Sequence, residues 1–517
     1  MTISKTQMEI SNTKIKQLAE MIPTTNVYDV AEVSALTLAK RLSSRYGNQL
    51  WLKREDQQSV FSFKLRGAYN KISNLSEEQL QAGVIAASAG NHAQGVALAA
   101  QRLKIKAQIV MPTTTPRIKV ESVRAMGAAV VLYGDNYDEA CGHALELAAK
   151  STQTFIHPYD DMAVMAGQGT VAKEILEQFK SPIDAVFIPV GGGGLIAGIA
   201  AYTQANYPDV KIIGVEPDEA PCMHHALEAG KRVILEKIGI FADGAAVKQA
   251  GEENYRITKE LVDEILLVSI DEICASVKDI FEDTRSISEP AGALALAGLK
   301  QYVAREQICG KELVAIFSGA NVNFDRLRHI AELTALGENK EALISIMIPE
   351  RPGSFRNLCH DLGPRLITEF NYRYADNNNA YVFAGVQLKQ GVEEKNKLIT
   401  NLKKKNYNVV DLSNDVAAKM HIRHMVGGHA PQMDNEIIYR FEFPERSGAL
   451  LHFLTKMGKR WNISLFHYRN HGAAYGRVLI GFQVKEHEKK NFRQFVDKSG
   501  ILYWDESDNT AYKTFLQ

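Results

Sequence analysis

Pro189-Val190-Gly191-Gly192-Gly193-Gly194-Leu195 joins a β-branched run, Ala185 to Val190, to an apolar segment of helical spacing. The run predicts a buried strand and the segment after it a helix. Four consecutive glycines cost backbone entropy that folding alone would not retain, and they free successive N–H groups to wrap a phosphate. A phosphate site is therefore expected at Gly191, Gly192, Gly193, Gly194 and Leu195. Whose phosphate is left open, because Gly192-x-Gly194-x-x-Ala197 also matches the dinucleotide fingerprint, with Glu216 ending the next strand 22 residues beyond Gly194. A nicotinamide-dependent dehydrogenase is a rival reading.

Outward from the glycines, from about residue 50 to 320, short apolar runs alternate with longer segments of helical spacing. Val84 to Ala87, Gln108 to Met111, Ala129 to Leu132, Ile212 to Val215, Ile265 to Val268 and Val314 to Phe317 are the further strand candidates. Ala93 to Leu103 and Thr170 to Phe179 have apolar residues at helical spacing. Buried strands separated by helices predict one or two parallel α/β sheets. Ligands in such sheets sit beyond the carboxyl ends of the strands.

After a charge-mixed helical connector, Arg326 to Glu341, the pattern changes to alternating strands and repeats itself. Pro349-Glu350-Arg351-Pro352-Gly353-Ser354-Phe355 returns 95 residues later as Pro444-Glu445-Arg446-Ser447-Gly448-Ala449-Leu450. At an offset of 96, Phe370, Tyr372, Arg373, Gly385 and Gln387 match Phe466, Tyr468, Arg469, Gly481 and Gln483. Each copy reads as a βαββαβ ferredoxin-like unit. The expected division is 1–335, 336–425 and 431–517, with a regulatory C-terminal half.

Composition narrows the function classes. The 517 residues are 45% hydrophobic and 23% charged with 15 prolines, so the chain buries its own core and is neither disordered nor collagenous. Sixty basic and sixty acidic residues cancel, leaving no electrostatic footprint for nucleic acid or an anionic membrane. A small-molecule ligand is the default. Five scattered cysteines without a C-x-x-C pair argue against a disulfide framework or a zinc site and point to a reducing cytoplasm. No export signal or membrane-length apolar run is visible.

Three further motifs carry chemistry. In Ser62-Phe63-Lys64-Leu65-Arg66-Gly67-Ala68, a lysine buried by Phe61 and Phe63 has a lowered pKa and is ready to form a Schiff base; a solvated lysine is the bland alternative. Ser88-Ala89-Gly90-Asn91-His92 follows a strand and opens a helix, whose free N–H groups can receive a carboxylate. An Asn N-cap would explain the same residues. His92 is expected to be structural rather than a base. Ser318-Gly319-Ala320-Asn321 places a hydroxyl beyond another strand, suited to a heteroaromatic nitrogen or to a helix cap.

Together, Ser-Phe-Lys-x-Arg-Gly-Ala, Ser-Ala-Gly-Asn-His, the glycine run and Ser-Gly-Ala-Asn resemble the threonine/serine dehydratase branch of the fold-type II pyridoxal-phosphate enzymes. With its duplicated tail the chain resembles, over nearly its full length, the biosynthetic threonine dehydratase (threonine deaminase) family, whose regulatory half contains two ACT-like domains. The resemblance implies pyridoxal 5'-phosphate as cofactor, bound through Lys64 as a Schiff base. It implies Gly191 to Leu195 on the phosphate, Asn91 at the 3-oxygen and Ser318 at the pyridine nitrogen. Ser88, Gly90 and Asn91 would receive the substrate carboxylate, and Glu289 resembles an active-site acid of the family. It also implies L-threonine, and L-serine, as substrates, isoleucine and valine as effectors, and a cytoplasmic homotetramer.

Two departures matter. Related serine racemases carry a second serine where this chain has Ala89, and alanine supplies no acid to the opposite face of Cα. Where some relatives hold a divalent cation with two acids after the Gly-Val-Glu-Pro strand, this chain keeps Glu216 but has Cys222, so no Mg or Ca site is expected, and a potassium-like ion is left open. A pure amino-acid sensor with a dead catalytic half is a third reading, against which intact Lys64, Asn91, Ser318 and the glycines argue.

Overall fold

The computed structural model describes residues 5–324, 326–374, 379–415, 418–419, 422–425, 435–444, 449–469, 475–509 and 512–513. Two compact units divide between Thr334 and Ala335, within the helix Arg326–Gly337. That helix is the connector; Glu341, expected at its end, instead opens a strand. No helix among the described residues is long and apolar enough to cross a membrane.

The first unit contains two sheets. The larger has six strands in the spatial order Leu36–Leu38, Gln49–Arg54, Glu312–Phe317, Ala185–Pro189, Lys211–Pro217, Glu264–Val268. All neighbours run parallel except the first, which is an antiparallel edge. The smaller has four parallel strands, Ala129–Leu132, Ala107–Met111, Val84–Ala87 and Thr154–Phe155. Parallel strands covered on both faces are continuously apolar, which is why Ala185–Pro189 and Val84–Ala87 are buried at every position.

Parallel neighbours end on the same edge, and this places the site. Gln49–Arg54, Glu312–Phe317 and Ala185–Pro189 lie side by side. Their carboxyl ends lead respectively towards Lys64, Ser318 and Gly191. The helix Lys64–Ser73 packs on Met162–Gln178, where a Cβ on Gly67 would meet the Val164 carbonyl at 2.7 Å and one on Gly167 the Arg66 carbonyl at 2.6 Å. Only glycines permit that approach.

A buried ion network fixes the same helix to the sheet. Arg66 donates to Glu55 (2.8 Å) and Glu174 (2.5 Å), and Lys53 donates to Glu174 (2.6 Å), all fully desolvated. Two cations balance two carboxylates, so removing one leaves an uncompensated buried charge. Arg66→Met is expected to destabilise the first unit by about 3 to 5 kcal/mol, read as a shift in its urea midpoint. A change below about 1 kcal/mol would show that the network is not a structural anchor.

The second unit is one eight-stranded antiparallel sheet, in the order Asn408–Asp411, Glu341–Pro349, Asn379–Gln387, Ile367–Arg373, Asn462–Arg469, Tyr475–Gln483, Glu436–Pro444, Leu502–Asp505. Helices Ser354–Leu362 and Gly391–Lys404 complete one βαββαβ copy, Ala449–Met457 and Lys489–Lys498 the other. The copies join through their second strands, with Asn371 opposite His467 and the register running symmetrically to Arg373–Leu465 and Glu369–Arg469. These are equivalent positions exchanged, so the repeat becomes a local two-fold. Repeat-related Phe370 and Phe466 pack at 5.4 Å across the join, with Phe355 against both.

Candidate active site

Lys64, Asn91, Gly191 to Leu195, Glu289 and Ser318 line one cleft with about 460 Å³ of empty space. Residues from five separate segments thus converge. Ser88 and Gly90 do not line it; they form the turn into Asn91, with Ser88 Oγ accepting the Gly90 N–H at 3.2 Å.

Lys64 is the first residue of its helix, and its Nζ donates to the Pro158 carbonyl at 3.1 Å. Burial pulls its ammonium down to about 8, against the attraction of Glu289. The solvated alternative therefore does not apply. Phe63 lies beneath the ammonium at 5.4 Å, but Phe61 is 55% exposed at φ 55°, so the second expected shield is the Pro158–Tyr159 segment instead.

Asn91 does not cap its helix; Gly90 occupies that place. Its Nδ2 donates to Glu289 at 2.6 Å and its Oδ1 accepts from Asn321 at 2.7 Å. One amide hydrogen is left to face the cleft. Burial, with Asp243 nearby, pushes the Glu289 carboxyl up to about 7. Ser318 is buried and caps no helix; its hydroxyl makes only a 3.5 Å contact to the Ala291 carbonyl. His92 Nε2 lies 2.9 Å from the Ile156 carbonyl, and burial pulls its pKa down to about 3, so the ring is neutral and structural.

The glycine loop opens the helix Gly194–Asn206, and Gly193 sits at φ 92°. A Cβ on Gly193 would lie 2.6 Å from Met223, and one on Gly192 inside the Tyr159 ring. Asn254 Nδ2 ties the loop by donating to the Gly192 carbonyl at 2.7 Å. The cradle, the helix N-terminus and the neutralisable lysine fit a phosphate-bearing aldehyde cofactor. Tyr159, Gly244 and Ala245 also line the cleft, and Asn254 stands behind it; none belongs to a motif, so no sequence signal announced them.

Glu216 argues against the dehydrogenase. It is fully buried and accepts the N–H groups of Met223 (2.9 Å) and His224 (2.8 Å) at a helix start, with Cys222 Sγ at 3.6 Å. A carboxylate so committed is not presented to a ribose. Desolvation pushes it up to about 7.

Residues 29–319 match the family described as pyridoxal-phosphate dependent enzyme, the class that this fold and cleft define. Residues 332–422 and 427–516 match the C-terminal regulatory domain of threonine dehydratase. The biosynthetic L-threonine dehydratase of Pasteurella multocida is 52% identical over 491 residues, 95% of either chain. A solved processed form of threonine deaminase isoform 2 from Solanum lycopersicum is 52% identical, with a TM-score of 0.61 over 62% of this chain and 93% of that one. Maize serine racemase is 30% identical, with a TM-score of 0.56 over 61% of this chain and 95% of that one. The chain belongs to the biosynthetic threonine dehydratase family.

Proposed function

We propose that the first unit converts L-threonine, and L-serine more generally, to a 2-oxo acid and ammonia with pyridoxal 5'-phosphate, as L-threonine ammonia-lyase. Threonine would give 2-oxobutanoate, on the route to isoleucine. The observation that carries this reading is the convergence of Lys64, the glycine loop and Ser318 at the ends of three adjacent strands.

Gly191 to Leu195 would hold the cofactor phosphate, Ser318 the pyridine nitrogen and Asn91 the 3-oxygen, with Lys64 as covalent anchor. When bound, the cofactor supplies a ring that delocalises the electron pair left at the substrate Cα. The first N–H groups of the helix Asn91–Leu103 would receive the substrate carboxylate, and Ser88 and Gly90, given the same role by the family resemblance, would reach it only if their mutual hydrogen bond opens towards the cleft. Lys64, its ammonium already pulled down towards neutrality, accepts the α-proton at Nζ. That proton is then available to the β-hydroxyl, which leaves as water. Release of the enamine, its tautomerisation and hydrolysis yield 2-oxobutanoate and ammonia. Glu289 and Asn321 hold Asn91 from its two ends and so act as positioning residues. Ala89 offers no acid on the opposite face, which favours elimination over racemisation.

An absorbance band near about 415 nm, bleached by borohydride, together with 2-oxo acid release from threonine and serine, tests the reading. A protein with neither is not this enzyme. Gly193→Asp is expected to lose cofactor on dialysis, because a carboxylate repels the phosphate. Gly193→Ala adds the same Cβ at φ 92° without the charge, so retention by Ala and loss by Asp isolates the repulsion. Equal full retention by both would count against a phosphate at this loop.

The second unit is read as the seat of isoleucine inhibition, with valine opposing it, in a cytoplasmic homotetramer. Domain limits of 1–335, 336–425 and 431–517 follow the repeat. Five free thiols fit a reducing compartment. The loop Pro349 to Ser354 enters the helix Ser354–Leu362 at Gly353, φ 93°, offering N–H groups to an effector carboxylate. In its repeat, Pro444 to Ala449, residues 445–448 lie outside the described residues.

A further inference from the structure

One bend of the first unit touches both ends of the cleft. His157, Pro158, Tyr159 and Asp160 follow the short strand Thr154–Phe155 of the smaller sheet. The Pro158 carbonyl accepts from Lys64 Nζ at 3.1 Å. The Tyr159 ring lies over Gly192, leaving no room there for a Cβ, and its hydroxyl donates to the Gln249 carbonyl at 3.3 Å. Asn254 Nδ2 donates to the carbonyls of Tyr159 (3.2 Å) and Gly192 (2.7 Å), so the bend and the glycine loop share one amide. The Asp160 carboxylate accepts the N–H groups of Glu252 (2.8 Å) and Glu253 (3.2 Å), which open the helix Glu252–Leu261 that carries Asn254. The bend thus ties the lysine to the phosphate cradle.

The shape of the bend is set by one atom. His157 Nδ1 accepts the N–H of Asp160 at 2.8 Å and that of Tyr159 at 3.3 Å. Backbone N–H groups only donate, so Nδ1 carries a free lone pair and the proton of the neutral ring sits on Nε2. An imidazolium would set a hydrogen against both donors. Burial holds the ring's pKa below its ordinary value, and the Lys64 ammonium adds to this against Asp160 and Asp161. The ring also packs edge-on against Tyr159, with centroids 4.7 Å apart at 89°. Pro158 has no N–H of its own, so the two donors that follow it are those that Nδ1 collects.

We propose that His157 is a positioning residue of the dehydratase reaction: through Nδ1 it fixes the bend that holds the Lys64 amine by the Pro158 carbonyl and keeps Tyr159 on the glycine loop. The amine needs such a fixed point. With one of its hydrogens held by Pro158, its remaining position is directed at the cleft, where it takes up the α-proton. The substrate carboxylate is received elsewhere, at the start of the helix Asn91–Leu103, so the role falls on turnover and cofactor retention and spares threonine affinity. The inference rests on the dehydratase reading and adds to it a residue that does not itself line the cleft.

Asn places its Oδ1 where His carries Nδ1, one bond from Cγ, and in an Asx turn that oxygen accepts the same N–H groups; Gln places its oxygen one bond further out, and Leu has none. Full-length holoenzyme is therefore compared as His157→Asn, His157→Gln and His157→Leu. The readouts are kcat and KM for threonine, cofactor retained on dialysis, and thermal melts of the cofactor-free chains. Leu and Gln should lower kcat at least about tenfold with KM within about twofold, because misplacing a reacting group by about 1 Å can cost about a hundredfold. Both should also lose cofactor faster. Asn should hold kcat within about threefold of wild type and keep its cofactor. Wild-type kcat and retention in the Leu variant, a loss confined to KM, or Asn and Gln behaving alike overturns the proposal. If the Leu chain fails to fold, the Asn and Gln pair decides by the same criterion. A wild-type chain that releases no 2-oxo acid would sink the dehydratase reading and this role with it. An active wild type beside an equally active Leu variant sinks the role alone.

Discussion

Lys64→Ala is expected to lower threonine turnover at least about a hundredfold while leaving the fold intact. A positioned general base is typically worth about 10² to 10⁴-fold, and this substitution also removes the covalent anchor. The fold should survive because Lys64 stabilises little: its Nζ makes one 3.1 Å hydrogen bond to the Pro158 carbonyl, and burial disfavours its charge. The anchoring of its helix belongs to Arg66 and to the Gly67–Gly167 approach, both untouched. Ketoacid release and a thermal melt on the same preparation check the two halves of the expectation. Turnover above about a hundredth of wild type would remove Lys64 from the mechanism.

Legibility in the sequence tracked how local the determining physics is. The glycine run and the lysine could be read because each is a short segment whose composition makes sense only near a ligand. The seven strands proposed for the first unit recur within a residue or two, since apolar periodicity is itself local, but Ala129–Leu132, expected to be buried, is an edge strand exposed at both ends. Leu36–Leu38 and Thr154–Phe155 escaped notice: three and two half-buried residues carry no period. Phe61 was misjudged as a shield because its positive φ turns it outward, which no residue-type argument foresees. Tyr159 and Asn254 escaped for a different reason. Their roles come from contacts with Gly192, 33 and 62 residues away in the chain, made only once the glycine loop has folded. Glu216 shows the converse case, in which a fingerprint match was satisfied by spacing alone while the carboxylate serves a neighbouring helix.

A chain ended after Gly337 is expected to keep dehydratase activity and to lose its response to isoleucine. The cut is placed there because the connector helix belongs partly to the first unit. Ile330 and Leu333 are buried, and Thr334 Oγ1 donates to the Cys274 carbonyl at 3.2 Å. An earlier cut would expose that face and confound loss of regulation with loss of fold. The solved tomato relative matches 62% of this chain with 93% of its own length, a share close to that of the first unit. An effector changes activity only through unequal affinity for two states, and a tenfold shift in threonine affinity needs about 1.4 kcal/mol of coupling. If the ligand site lies wholly in the second unit, the truncated enzyme has nothing to couple to, and its threonine saturation curve should be the same with and without isoleucine. Inhibition of the truncated enzyme at the same isoleucine concentration would instead mean that isoleucine competes at the Lys64 cleft, and the regulatory reading of the second unit would fall.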